Sequence, residues 1–114
     1  MVLDPPRFGH AAAVLGGHVW VFGGYTGGAA EPFTRQLLRC TPGAGCVDAA
    51  TTCPGTEAGF VYDPPDSLTP RYLSSLHSDG TFLYVYGGSS IDAPDGFGDV
   101  FKFEPASCIW RWVQ

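Results

Sequence analysis

The four cysteines are the side chains of this sequence best suited to covalent or metal chemistry. Three fall within fourteen residues rich in Gly, Pro and Thr, and the fourth lies near the end of the chain: Cys40, Cys46, Cys53 and Cys108. An even number of cysteines in a short chain is typical of a disulfide framework. Zinc sites favour paired ligands such as C-x-x-C, whereas five and six residues separate these cysteines. We therefore expect disulfides, with a metal site and free thiols as the alternatives, and all three pairings stay open.

Histidine and aspartate could also serve as ligands or bases. None of the three histidines, His10, His18 and His77, stands next to a residue that would orient it for catalysis. Asp92, Asp95 and Asp99 with Gly96 resemble a calcium loop only in composition, because the EF-hand spacing and its closing glutamate are missing. A solvated acidic loop is the preferred interpretation.

Nucleotide and hydrolase motifs are absent from the sequence. Neither G-x-G-x-x-G, nor a P-loop, nor a G-x-S-x-G elbow occurs. The sequence therefore predicts no catalytic residue, no metal and no cofactor, and it does not favour an enzyme.

Composition indicates an all-β protein. The 114 residues are 45% hydrophobic and include 16 glycines and 10 prolines scattered among short apolar runs, which favours many tight turns over long helices. A net charge of -5 argues against a nucleic-acid partner. No apolar run approaches the ~20 residues that a membrane span needs, and the first residues do not resemble a signal peptide.

An apolar run closed by two glycines occurs twice. Residues 18–24 (HVWVFGG) recur 64 positions later as residues 82–88 (FLYVYGG), and the same offset pairs Arg7 with Arg71. Repeated units of this kind bury their apolar faces by stacking on one another. We expect strands in the first copy at residues 7–15, 18–22 and 34–40, and in the second copy at residues 72–78, 82–86, 98–103 and 108–113.

The second copy resembles the kelch motif of β-propellers, which also occurs in the galactose oxidase family. The resemblance rests on Gly87-Gly88 after an apolar strand, followed by the aromatic pair Phe103 and Trp110. It implies an all-β fold of two four-stranded antiparallel blades that form an incomplete ring. The flat faces of the end blades would then be apolar and exposed.

The first copy departs from this pattern after Gly23-Gly24. Alignment places Cys40 where the second copy has Phe103, and we take Phe60, in a fourth strand at residues 59–62, as the substitute for Trp110. This alignment leaves a cysteine-bearing insertion at about residues 42–55. It divides the chain into a first blade with linker at residues 1–69 and a second blade at residues 70–114.

Structural roles are expected for the repeated glycines and arginines. A glycine doublet ends a strand and lets a neighbouring backbone approach closely. Arg7 and Arg71 precede the first strand of each copy, and we expect each guanidinium to reach carbonyls or a carboxylate of an adjacent blade.

Recognition is expected in the loops that follow the doublets, because loops on a rigid scaffold commonly carry binding residues. The candidates are Tyr25, Glu31, Ser90, Asp92 and Asp95. These loops should emerge on one side of the propeller, opposite the cysteine-bearing insertion.

The resemblance implies a protein-interaction or carbohydrate-binding scaffold, with further blades or other protein chains as partners. If the cysteines form disulfides, we expect this scaffold in an extracellular or secretory-lumen setting. Two alternatives stay open: a fragment of a galactose oxidase-like copper enzyme whose ligands lie largely outside these residues, and an architectural subunit of a large assembly.

Overall fold

Two β-sheets make up almost all of the regular structure. The computed structural model describes residues 6–27, 32–53, 59–65 and 67–114, with one 3₁₀ turn at Ala49–Thr52. The strands are β1 Ala11–Leu15, β2 His18–Phe22, β3 Leu37–Thr41, β4 Gly45–Asp48, β5 Val61–Asp63, β6 Ser75–Ser78, β7 Leu83–Tyr86, β8 Val100–Glu104 and β9 Ile109–Trp112.

The first sheet is an antiparallel meander in the order β1-β2-β3-β4. Gly16 and Gly17, with φ of 63° and 79°, form the two-residue turn between β1 and β2. Side chains alternate along β2, so Trp20 and Phe22 join the core with the second sheet while Val21 packs on the opposite face. The predicted bounds of the second strand are confirmed.

The second sheet has the order β5-β9-β8-β7-β6. Strands β6 to β9 form the predicted antiparallel meander, and β5 adds to its edge parallel to β9, with Val61 opposite Ile109. The predicted all-β fold with two antiparallel sheets is therefore confirmed. Within the described residues, the two sheets do not close a ring.

The predicted fourth strand of the first copy was wrong. Strand β4, inside the expected insertion, pairs with β3 and places Cys46 opposite Cys40, as Trp110 stands opposite Phe103 in the second sheet. Cys46 therefore holds the tryptophan position, one residue earlier than the spacing of the second copy indicates. The division of the chain into blades at residues 69 and 70 stays a prediction.

Phe60 has a different role from the one expected. Its ring packs 5.0 Å from that of Phe103 and 6.4 Å from that of Trp110, measured between centroids. The chain leaves the first sheet, places Phe60 on the aromatic pair of the second sheet, and continues directly into β5. Tertiary packing against large rings determines this position, which strand spacing along the sequence does not reveal.

The main core lies between the two sheets. Trp20 and Phe22 of the first sheet meet Phe103 and Trp110 of the second, with ring centroids 6.1 Å and 5.5 Å apart. Leu37, Leu83, Val85 and Phe101 complete this cluster and are almost fully buried. Burial of each such side chain contributes about 1.5–3 kcal/mol, so stacking of the sheets is the dominant stabilising term.

The outward face of the second sheet is mixed, so the expectation of flat apolar end faces holds only in part. Val61 and Tyr86 are exposed on it, 58% and 42% respectively, beside a polar row. One cross-strand row runs His77, Tyr84, Lys102, Arg111 and Asp63, each opposite the next in register. Arg111 donates to the Asp63 carboxylate at 3.0 Å. The outward face of the first sheet does carry apolar side chains, including Val21 and Leu38.

The four cysteines form two disulfides, which is one of the three pairings that the sequence allows. Cys40–Cys46 links β3 to β4, and Cys53–Cys108 links the end of the 3₁₀ turn to the residue before β9. The second bond joins the two sheets. Residues 46 and 53, whose bond would have closed the expected insertion, are not joined to each other.

The glycine doublet of the first sheet forms the junction with the second. The N–H of Gly24 donates to the carbonyl oxygen of Arg71 at 2.9 Å, and the N–H of Arg71 donates to that of Thr34 at 3.2 Å. A Cβ at Gly23, where φ is 68°, would lie 2.7 Å from the same Arg71 oxygen. The junction therefore requires glycine both for its dihedral and for its lack of a side chain.

Substitution of Gly23 at this junction should lower the free energy of unfolding more than substitution of Gly17, a turn glycine with a similar φ. Gly17, with φ of 79°, has nothing within 4 Å of an added Cβ, so Gly17→Ala should lose only the left-handed strain of about 1–2 kcal/mol. Gly23→Ala should lose roughly 1–3 kcal/mol more, because the junction must open. Chemical denaturation of both variants measures the difference, and equal losses would contradict the junction.

Candidate interaction surface

Four aromatic rings gather where the loops after the strands converge. The ring centroids of Phe8 and Tyr25 are 5.1 Å apart, those of Tyr25 and Phe33 5.4 Å, and those of Phe33 and Tyr72 5.0 Å. Separations of 4.5–7 Å with tilted planes are the favourable arrangement for aromatic pairs. Together with Ile91, which adjoins them, these rings form what we call the loop-end aromatic surface.

Backbone bridges hold the rings in place. The N–H groups of Phe8 and Tyr25 each donate to the carbonyl oxygen of the other, at 3.2 and 2.8 Å, and Tyr72 exchanges the same pair of bonds with Ser89. Phe8 and Tyr72 are equivalent in the repeat. The surface therefore arises because the stacked copies bring equivalent aromatic residues side by side.

Part of this surface is open to solvent. Ile91 is 76% exposed and Phe8 60% exposed. A recess of about 310 Å³ runs between Tyr25, Phe33, Tyr72 and Ile91, and a second of about 200 Å³ lies beside it. Exposed apolar side chains around such recesses are typical of protein-interaction sites.

The predicted binding residues are only partly brought together. Tyr25 lies at the centre of the ring cluster, and Asp92 is exposed beside the smaller recess. Ser90 is buried, and its hydroxyl accepts a hydrogen bond from the N–H of Asp92 at 3.3 Å, so it shapes the loop. Asp95 is exposed but lines neither recess. Glu31 lies outside the described residues.

Sequence reasoning missed most of the surface. It assigned Phe8 and Tyr72 to the starts of strands, and it left Phe33 and Ile91 as loop residues without a role. The available signal was the presence of aromatic residues on both sides of the first doublet, at Phe8, Tyr25 and Phe33.

The two repeated arginines make equivalent contacts behind the surface. Arg7 donates to the Gly23 carbonyl at 3.4 Å and to the Gln36 side chain at 2.7 Å. Arg71 donates to the Gly87 carbonyl at 3.2 Å and to the Asp99 carboxylate at 2.6 Å. These partners belong to the arginine's own repeat, whereas we expected them in an adjacent blade.

Arg71 is fully buried, which its partners make tolerable. The guanidinium also donates to the carbonyl and hydroxyl of Thr69, at 3.1 and 3.2 Å, and lies 3.8 Å from the centroid of the Phe97 ring. These hydrogen bonds and the carboxylate partner offset the cost of burying the charge, whereas removal of one partner strongly lowers the stability of the fold. Arg71 is therefore a structural residue beneath the loops and is not available to a ligand.

The described ranges contain neither a cluster of metal-ligating side chains nor a membrane-spanning helix. No group of three or more His, Cys, Asp or Glu side chains there is placed to hold an ion. No helix in the same ranges has the length and apolar character required to cross a bilayer.

The pKa values that clearly shift belong to the opposite end of the second sheet. The N–H groups of Phe82 and Thr81 donate to Asp79 at 2.8 and 2.9 Å, which holds the pKa of that carboxyl below its ordinary 3.8. Desolvation and the hydrogen bond to Asp79 raise the pKa of the Tyr84 hydroxyl above 10.0. These bonds stabilise the turn between β6 and β7.

In both copies a glycine doublet follows the second strand of a four-stranded meander, and an arginine donates to the carbonyl of its first glycine. Residues 6–37 match the Kelch motif, so the chain carries a kelch motif and the resemblance is confirmed. The chain is similar to "Kelch domain-containing protein 3" of Bos taurus and of Homo sapiens, with 29% identity over 108 residues in each case. The match covers 92% of this chain and 26% of each relative.

The Asp79 turn should make stability depend on acid pH. Because the pKa of Asp79 is lowered in the folded state, its contribution is complete above the unfolded pKa of 3.8 and is lost as pH falls through the folded pKa. Asp79→Asn should therefore be less stable than the parent near about pH 6 and converge with it towards about pH 2. Urea unfolding across this range measures the gap, with Asp95→Asn as the exposed control. A gap independent of pH would contradict the assignment.

Proposed function

We propose that this chain is part of a kelch-type protein-interaction scaffold that contacts its partner through the loop-end aromatic surface. The observation that carries the proposal is the exposure of Phe8 and Ile91 beside a rigid cluster of rings. Rigid aromatic residues lose little conformational entropy on binding and are enriched among the residues that dominate interface energy.

The chemistry of the surface favours an apolar partner segment flanked by basic side chains. Asp92 lies exposed beside the smaller recess, and the chain carries a net charge of -5. Opposite charges at the rim of an apolar contact speed association and fix orientation. Carbohydrate is the second candidate, because exposed rings such as Phe8 can stack on a sugar face. The hydroxyls of Ser89 and Ser90 in the recess lining, however, already form hydrogen bonds within their own loop.

The scaffold is best suited to an oxidising compartment, and we propose an extracellular or secretory-lumen location. Both cysteine pairs are bonded, and the Cys53–Cys108 pair spans 55 residues between the two sheets. Disulfides of this kind persist where the surroundings are oxidising and are rare in the cytosol.

Binding through the aromatic surface can be tested with exposed residues only. Phe8→Ser with Ile91→Asp should lower the unfolding temperature only slightly, because the Phe8 ring packs on Tyr25 but is largely exposed. It should weaken partner binding by about tenfold or more, since truncation of a dominant interface residue costs about 2 kcal/mol. Val14→Ser is the matched control, because Val14 is 68% exposed on β1. The measurement is capture on the immobilised chain followed by titration of each captured protein. Equal affinity for the double variant and the control would contradict the proposal, and specific binding to a glycan array would favour carbohydrate.

The compartment proposal rests on the disulfides and has its own test. Free thiols of the native protein are blocked with an alkylating agent as the cells or fluid that contain it are collected, and the protein is then digested without reduction. The peptides should show the linked pairs Cys40–Cys46 and Cys53–Cys108. On the chain-entropy estimate, Cys53→Ser with Cys108→Ser should lose about 4 kcal/mol, and Cys40→Ser with Cys46→Ser about 2 kcal/mol. Four alkylated thiols in the collected protein would contradict an oxidising location without affecting the interaction surface.

A further inference from the structure

A second cleft opens between the two sheets at the end opposite the aromatic surface. Strand β2 runs from His18 at this cleft to Phe22 beside the doublet, so the two sites lie at opposite ends of the same strand. The cleft has a volume of about 510 Å³, within the range of small-molecule sites. We call it the turn-end cleft, because the turns at Gly16, Gly80 and Pro105 surround it.

The walls of the turn-end cleft are largely apolar and aromatic. Leu15, Trp20 and Phe103 line its inner part, and Pro105 with Ala106 lines the outer part. The Trp20 indole N–H already donates to the carbonyl oxygen of Leu15 at 3.0 Å, which fixes the ring. A flat apolar group could therefore bury its surface against a rigid aromatic wall.

Arg39 brings a charge into this cleft without a partner in the described part of the chain. It lies on β3 directly opposite Trp20, and its Nε atom is buried yet has no hydrogen-bond acceptor. The described residues offer two other buried polar atoms without a partner, Ser67 Oγ and Trp110 Nε1, but both are neutral and neither residue lines the cleft. An unsatisfied buried donor on a charged group costs more than on a neutral one.

His18 and Glu104, the other ionisable residues that line the cleft besides Cys108, already have partners. His18 shares a hydrogen bond with the Thr41 hydroxyl at 3.1 Å, and the Glu104 carboxylate accepts from the hydroxyl of Ser107. Arg39 differs sharply from Arg71, which is buried but is bonded to a carboxylate, a hydroxyl and two carbonyls. Among the described residues Arg39 Nε therefore lacks an acceptor, and a carboxylate matches the planar fork of a guanidinium.

We propose that the turn-end cleft binds a small aromatic carboxylate, with the carboxylate on Arg39 and the ring against Trp20 and Phe103. The alternative source of a carboxylate is an Asp or Glu side chain on the surface of another protein, which could enter only the mouth of the cleft. Binding at the mouth should therefore be insensitive to the aromatic wall. The proposal concerns a free ligand and is independent of the aromatic surface at the other end.

The direct test is nitrogen-15 NMR of the whole chain, titrated with 3-phenylpropionate. The Arg39 Nε–H and Trp20 Nε1–H signals should both shift, saturably and with one shared dissociation constant. The neutral analogue 3-phenylpropan-1-ol should bind at least tenfold more weakly, and acetate should leave the Trp20 signal in place. No saturable shift, or equal binding of the alcohol, would overturn the proposal. If 3-phenylpropionate and acetate both shift the Arg39 Nε–H signal and neither shifts the Trp20 signal, Arg39 instead binds acidic side chains of other proteins at the mouth of the cleft. That result would also overturn the proposal.

Variants separate the role of Arg39 from general electrostatics. Arg39→Gln should weaken 3-phenylpropionate binding at least tenfold while leaving the unfolding temperature unchanged, because the described residues offer the guanidinium no bond to lose. Arg111→Gln is the matched control, since it removes an equal charge from the outward face of the second sheet. Equal weakening by the two variants would overturn the site. If Arg39→Gln does not fold, Arg39→Lys keeps the charge but not the fork, and unchanged affinity in that variant would also overturn the proposal.

Glu104 provides a final check. It is the acidic residue that lines the cleft, so Glu104→Gln should tighten 3-phenylpropionate binding by removing a like charge. The rival explanation is that Glu104 forms an ion pair with Arg39 in solution. In that case Glu104→Gln would shift the Arg39 Nε–H signal of the ligand-free protein to the position typical of a guanidinium without a hydrogen-bond partner. That result would overturn the proposal.

Discussion

The close contact between the first glycine doublet and the backbone of Arg71 is the constraint on which the two sheets depend. Gly24 donates to the Arg71 carbonyl, and Gly23 leaves that oxygen the space a Cβ would occupy. The side chain of the same arginine is buried against Asp99 in the second sheet. One residue therefore ties its own repeat together through its side chain and meets the preceding repeat through its backbone.

The two repeats use different chemistry at equivalent positions. In the second sheet the pair opposite each other on the last two strands is Phe103 and Trp110, which belong to the core. In the first sheet the same register position holds Cys40 and Cys46, joined as a disulfide on the outward face. A covalent bond thus takes the place of aromatic packing where no described strand covers that face.

The two ends of the stacked sheets offer surfaces of different character. The loop end presents exposed rings on a backbone held by reciprocal hydrogen bonds, which suits a flat macromolecular contact. The turn end presents a concave cleft with a single guanidinium, which suits a small ligand. The core of the two sheets lies between these two ends.

The repeat, the all-β class and the bounds of β2 could all be predicted from the sequence, because apolar alternation and paired glycines are local signals. It did not reveal β4, since Cys46 stands one residue away from the spacing of the second copy. The tertiary fold joins β5 to the second sheet, brings Cys53 to Cys108, and leaves the buried Nε of Arg39 without an acceptor among the described residues. Each of these depends on contacts between segments distant in the chain, and no local pattern encodes which distant partner a side chain meets.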